Sequence, residues 1–441
     1  MKKIIFQFSF ILAFLFLGTS LFAQNFLYKR EIKGIKNSKQ TEWYKLELPV
    51  EVVEKTNTDF SDIRIFGVSE SDTLETPFLT RKIIQTSENK QIDFKIINSS
   101  KKDNAYFFTL EKEESAEEAI NLIKLDFENT NFEWLVKLEG SQDQNEWFEI
   151  LNNYRLVSIQ NDFTDYNFTK LIFPNAKYKY YRLEVIDKEI YRNQYPIKLQ
   201  FPKLNSASVF LQKTTAGNFE DLEVISQNIE VDKERKQTII DIKLAHSVPI
   251  DFLSLEVKND FDYYRNIQFK YLLDSTITEK GVIYNFVTLH TSTLSSLEKQ
   301  NNISEFFINS SSNSNTKSSH YQIVIDNQDN QPLDIGKVEI KSYVNQLFTR
   351  VAPVENRDKN VNYFLMYGNQ NSSKPNYDIV RFENTIPTDV ISLELEAEQK
   401  IPQKEVEKVT PLFENSLWLW LLMGTIILVL TVFTFKMMKK Q

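Results

Sequence analysis

Apolar and polar residues alternate at every second position through long parts of this chain, the mark of half-buried β-strands. The clearest stretch runs from Ile120 to Trp147, INLIKLDFENTNFEWLVKLEGSQDQNEW. It reads as two strands with a short connection, then a Gly-Ser-x-Asp turn and a tryptophan. A similar frame begins at Ile250. Ile120, Ile123, Leu125, Phe127 and Asn129 correspond to Ile250, Leu253, Leu255, Val257 and Asn259, a constant offset of 130 positions. After a one-residue slip, Phe132 meets Phe261 and Trp134 meets Tyr263. Each unit also has a closing strand, Tyr180–Val185 in the first and His320–Ile325 in the second. A duplication accounts for this better than two unrelated strands of like alternation.

The first unit, residues 91–205, is expected to form a β-sandwich. Its strands are Gln91–Ile97, Ala105–Leu110, Ile120–Phe127, Trp134–Glu139, Phe148–Leu151, Thr169–Phe173 and Tyr180–Ile186. The second sandwich, its repeat, is expected over 206–345, with a polar loop at Ser310–Ser319. Residues 24–90 and 346–397 read as flanking β-regions. The N-terminal one has too few strands to stand alone, so it either pairs with a later segment or packs on the next domain. Fold class is therefore mainly β: tandem antiparallel β-sandwiches plus one C-terminal transmembrane helix.

The ends of the chain set its location. Residues 1–23 have the parts of a signal peptide: Lys2 and Lys3, an apolar run from Ile4 to Leu17, and a small residue, Ala23, for cleavage. An uncleaved anchor is the alternative reading. Residues 398–416 carry many charges with Pro402 and Pro411, as a stalk does. Residues 417–435 are 19 positions without a charge, enough to cross a bilayer. Trp418 and Trp420 lie near one end, and Lys436, Lys439 and Lys440 follow the other, in the tail 436–441. Together they predict a single-pass inner-membrane protein with its ectodomain in the periplasm or extracytoplasmic space.

Composition narrows the chemistry. The absence of cysteine excludes disulfides, thiolate metal sites and a thiol nucleophile. A net charge of −8, spread along the chain, argues against nucleic acid. His246, His290 and His320 lie far apart and read as ordinary strand-end residues. No catalytic, cofactor or metal residue is assigned, and no cofactor is expected. Two oxygen-rich loops, Ser141–Glu146 and Asp326–Asn330, could hold calcium or simply form turns. Trp147 reads as a core residue more readily than as a sugar-stacking platform.

Gly140, Ser141, Asp143 and Trp147, followed by Tyr180, Arg182 and Leu183, resemble the discoidin or galactose-binding-like jelly roll. That resemblance implies structural roles for these residues, with ligands held by variable loops. The complete arrangement resembles domain-of-unknown-function family 3999 of bacterial membrane-anchored proteins. It does so through Asp62–Ile65, the Gly140–Trp147 unit, Asn327–Leu333, the Tyr367 to Asp378 segment and the C-terminal span. No activity follows from it. Three readings of function remain: a binding module for glycan or an envelope protein, a structural subunit of a membrane complex, and a carboxylate-dependent hydrolase of envelope polysaccharide. The hydrolase predicts a deep cleft with two facing acids, and the glycan binder a shallow aromatic site.

Overall fold

A computed structural model describes residues 26–36, 41–70, 72–113, 118–161, 165–188, 201–279, 281–297, 301–308, 316–351, 361–369, 371–403 and 416–439. The signal-peptide reading over 1–23, most of the polar loop Ser310–Ser319 and most of the stalk lie outside them. The described chain is mainly β, built as tandem antiparallel sandwiches, with one C-terminal apolar helix.

Among the described residues the two sandwiches contain the same ten strands in the same spatial order. The first has a six-stranded sheet ordered Asp165–Phe168, Phe148–Gln160, Phe132–Ser141, Tyr180–Asp187, Ala105–Lys112, Phe94–Lys102. Its four-stranded sheet runs Lys170–Ala176, Ile120–Phe127, Leu204–Thr215, Thr86–Ile92. The second repeats this with Asn301–Ile303, Gly281–Leu297, Tyr263–Thr278, Ser318–Asp326, Gln237–Val248, Val224–Asp232, and with Glu305–Phe307, Phe252–Val257, Ile335–Tyr343, Phe219–Asp221. Inward alternate residues of both sheets, among them Leu110, Ile123, Val136 and Leu183, fill the first core. The strands Tyr180–Asp187 and Ser318–Asp326 hold matching central places.

The flanking regions form one structure. Residues 28–82 and 345–400 interleave in a nine-stranded sheet, here called the base, in which Arg64–Val68 pairs with Asn362–Tyr367 and Glu42–Leu48 with Asn345–Val351. The chain leaves the base at Lys82 and re-enters at Asn345, and these two residues are directly paired. Both sandwiches are thus inserted between neighbouring strands of the base. At the junction the Asn218 amide donates to the Ile83 carbonyl and the Val344 amide to that of Asn218, both at 2.9 Å. Gly217 is needed there: a Cβ would lie 2.6 Å from the Tyr343 ring and 2.9 Å from the Gln85 amide nitrogen.

These pairings redraw three boundaries. Thr86–Ile92 belongs to the first sandwich and not to the N-terminal region. Leu204–Thr215, read as opening the second unit, completes the first. The beginning of the stalk is folded, because Gln399–Lys400 pairs with Tyr28–Lys29. In each case a strand joins a partner distant in sequence, which local alternation cannot reveal. The short helix Val50–Lys55 buries Val52 and Val53 in a core shared by the base and the second sandwich. The apolar helix Ser416–Met438 is exposed along its described side chains, and Trp418–Met438 is long and apolar enough to cross a membrane.

Candidate functional site

The two sandwiches meet along a small apolar seam of Val157, Phe168 and Leu297, with Tyr166 edge-on to Tyr264 at 4.9 Å between centroids. Beside this seam opens a cleft of about 850 Å³. Its first-sandwich wall comes from Asn131–Glu133, Arg155, Val157–Ile159, Tyr166 and Asp187, and its second-sandwich wall from Phe261–Asn266, Ser295, Leu297, Gln328, Asn330 and Gln331.

Charge in the cleft is mostly cancelled across the seam. Arg155 Nε lies 2.8 Å from Glu133 of its own sandwich, and its Nη1 pairs with Asp262 of the other. Lys188 adds a 2.7 Å contact to Glu133. Two carboxylates that share one guanidinium hold the sandwiches together and are poorly placed as an acid–base pair.

Arg265 differs. It is 8% exposed, lies on the inward stripe Tyr263, Arg265, Ile267, Phe269, and makes no ion pair among the described residues. Its Nη1 donates to the Tyr264 carbonyl at 3.0 Å, while its buried Nε has no hydrogen-bonding partner among the described residues. Burial pulls its pKa below the ordinary arginine range, opposed through space by Asp326. The Ser295 hydroxyl, also on the cleft wall, is buried and likewise has no partner among the described residues. The equivalent place in the first sandwich is filled by something quite different. Val136 faces Val185 there, and Ile267 faces Ile325 in the second. Arg265, two residues before Ile267, therefore stands where Trp134 stands, two before Val136. This register replaces the Trp134–Tyr263 correspondence read from the sequence. Trp134 is fully buried and stacked on Phe132 at 3.7 Å.

The residues singled out in the sequence lie elsewhere and serve the fold. Trp147 is half-buried and outside the core, against expectation. Its Nε1 donates to the Gln144 carbonyl at 3.0 Å, and Arg182, held by Glu139, sits 4.1 Å above its ring. The core tryptophan is Trp134. Asp143 spends its Oδ1 on the amides of Asn145 and Glu146, which hold its carboxyl below the usual range. Asp326 likewise accepts from Gln328, and Asp329 pairs with Lys236. Among the described residues no three His, Cys, Asp or Glu side chains group as metal ligands. His246 contacts Glu54 at 3.0 Å and His320 contacts Asp241 at 2.8 Å, while His290, whose pKa is lowered by burial, lies on another strand. The sequence reading missed Arg265, although an arginine interrupting an apolar inward stripe was the available signal.

No protein-family profile matches the chain, and no curated protein matches its sequence. Among solved structures, truncated AlyQ with CBM32 and alginate lyase domains aligns at 7% identity over 64% of this chain and 98% of that one, TM-score 0.22. The CBM32-1 and CBM32-2 domains of Clostridium perfringens ZmpB align at 7% identity over 68% and 94%, TM-score 0.18. A glycoside hydrolase 29 family member from an unknown rumen bacterium aligns at 10% identity and TM-score 0.17, with 55% of this chain covering 40% of that protein. At these scores the likeness extends to neither site nor activity.

Proposed function

We propose that the protein is a membrane-anchored, extracytoplasmic binding protein whose two sandwiches hold a saccharide-sized ligand in the cleft between them. The cleft itself carries this reading: its volume is that of a ligand site, its walls combine Phe132, Tyr166, Phe261 and Tyr264 with polar groups, and two of those groups are buried without partners among the described residues. The apolar helix near the C-terminus, followed by Lys439 and Lys440, supports the anchoring and its direction. Membership of family 3999 is part of the proposal and is supported by the motifs given above. The reading is non-enzymatic because Arg155 ties up both Glu133 and Asp262.

The test is calorimetric titration of the detergent-solubilised full-length protein with neutral and uronate-bearing hexasaccharides. Tyr264→Ala is expected to weaken binding at least about tenfold, the loss of one aromatic wall, while Trp147→Ala leaves it unchanged. Loss with Trp147→Ala alone would move the site to the loop end of the first sandwich.

A second reading, docking within a membrane complex, rests on one element. The distal half of the hairpin Tyr263–Thr278/Gly281–Leu297 exposes Leu273, Ile277, Val282, Ile283 and Tyr284, with Ile277 85% exposed. A partner that co-purifies from native membranes with the wild type but not with Ile283→Ser would favour it.

A further inference from the structure

We infer that the cleft selects a saccharide bearing an oxyanion, a uronate carboxylate in particular, and that Arg265 receives it. This rests on the cleft being the ligand site. A guanidinium taken out of water without a contacting carboxylate is costly, and folds remove such groups unless something is gained. The fold does not require a charge here, since the first sandwich fills the same place with Trp134. Nor is the charge consumed internally: Glu133 and Asp262 belong to Arg155, and Lys188 offsets Glu133 further. Asp187, the third acid on the walls, lies on the first sandwich, and Asp326 acts on Arg265 without an ion pair. Guanidinium matches a carboxylate through two parallel N–H donors, so an incoming uronate would give this charge the contacting carboxylate it lacks. The Ser295 hydroxyl and the side-chain amides of Gln328 and Gln331 offer further donors for sugar hydroxyls along the same walls.

The experiment titrates the full-length protein in detergent with hexagalacturonate, its methyl ester and a sulfated neutral hexasaccharide. The acid form is expected to bind at least about tenfold tighter than the ester, and Arg265→Gln to close that gap while leaving ester binding intact. The sulfated probe separates a general oxyanion site from a carboxylate site: tighter binding of the sulfate would overturn the uronate assignment. Equal affinity for acid and ester, lost in Tyr264→Ala, would overturn the anion inference and leave the cleft as the ligand site. Binding of none of the probes would overturn both. Arg265→Met is the control for folding. An arginine kept for a ligand costs stability when the ligand is absent, so this variant should melt at or above the wild-type temperature. A large fall would show that the guanidinium serves the fold and would overturn its assignment.

Discussion

Where the second sandwich joins the base, Glu220 lies among like charges. Its carboxyl is pushed up to about 7, first by burial and then by Glu51 and Glu47 of the base. The unfolded chain ionises this group near its ordinary value of 4.5, whereas the folded chain keeps it protonated to about 7. Between those values the native state binds more protons, so stability falls as pH rises through that window. The fall attributable to Glu220 is expected to be about 1–3 kcal/mol, and Glu220→Gln should flatten it in urea titrations at pH 4.5 and 7.5. An unchanged slope would remove Glu220 as its source. Nothing in the sequence marks this residue, since its effect arises from burial and from two acids on a helix and strand of the base. Trp134 and Trp147 teach a similar lesson. Trp134 continues an apolar alternation and Trp147 follows the polar run Ser141–Glu146, and one is the centre of a core while the other caps a turn, because only tertiary packing decides which face of a strand end is covered.

At the level of elements, alternation located most strands but not their partners. The segment read as the start of a stalk is tied down by its first residue, Glu398. Its carboxylate is pushed up by burial, but Lys55 at 2.7 Å and the Tyr367 hydroxyl at 2.6 Å hold it below the usual range overall. Lys55 also lies 4.8 Å over the Tyr28 ring, so helix, first strand and last strand meet at one carboxylate. A two-residue strand has no periodicity to read, and its charged sequence resembles a linker, which explains the missed boundary. Glu398→Ala should cost about 1–2 kcal/mol, a lost set of charge-assisted hydrogen bonds at a partly exposed site. It should also speed amide exchange at Leu27, Tyr28 and Ile401. Unaltered exchange there would mean that backbone pairing alone holds the last strand. The motifs compared with family 3999 belong to this level too. Asp62 is fully buried and accepts the Asn57 amide at 2.7 Å, and Asn327 bonds Thr238 beneath a turn. They fix corners of the fold, and the turn that follows Asn327 also lines the cleft through Gln328, Asn330 and Gln331.

Across the whole molecule, the cores do not follow the order of the chain. The base and the second sandwich share one continuous apolar core, from Leu46 and Leu347 to Ile242 and Ile323. The first sandwich has its own, centred on Trp134, Leu138 and Leu183. Among the described residues it meets the remainder at the junction near Gly217, the Val157–Phe168–Leu297 seam and the Arg155 bridge. Two cooperative units should therefore unfold separately, and calorimetry of the full-length protein should resolve two transitions. Leu183→Ala, which opens a cavity in a fully buried position, should lower only one of them, by about 10 °C. Leu347→Ala should lower only the other. A single transition displaced by both substitutions would show that seam and bridge couple the sandwiches into one unit. The same result bears on function, because the cleft lies on the boundary between the units. If they are separable, a ligand seated there contacts both, and its binding should bring the two transitions closer together.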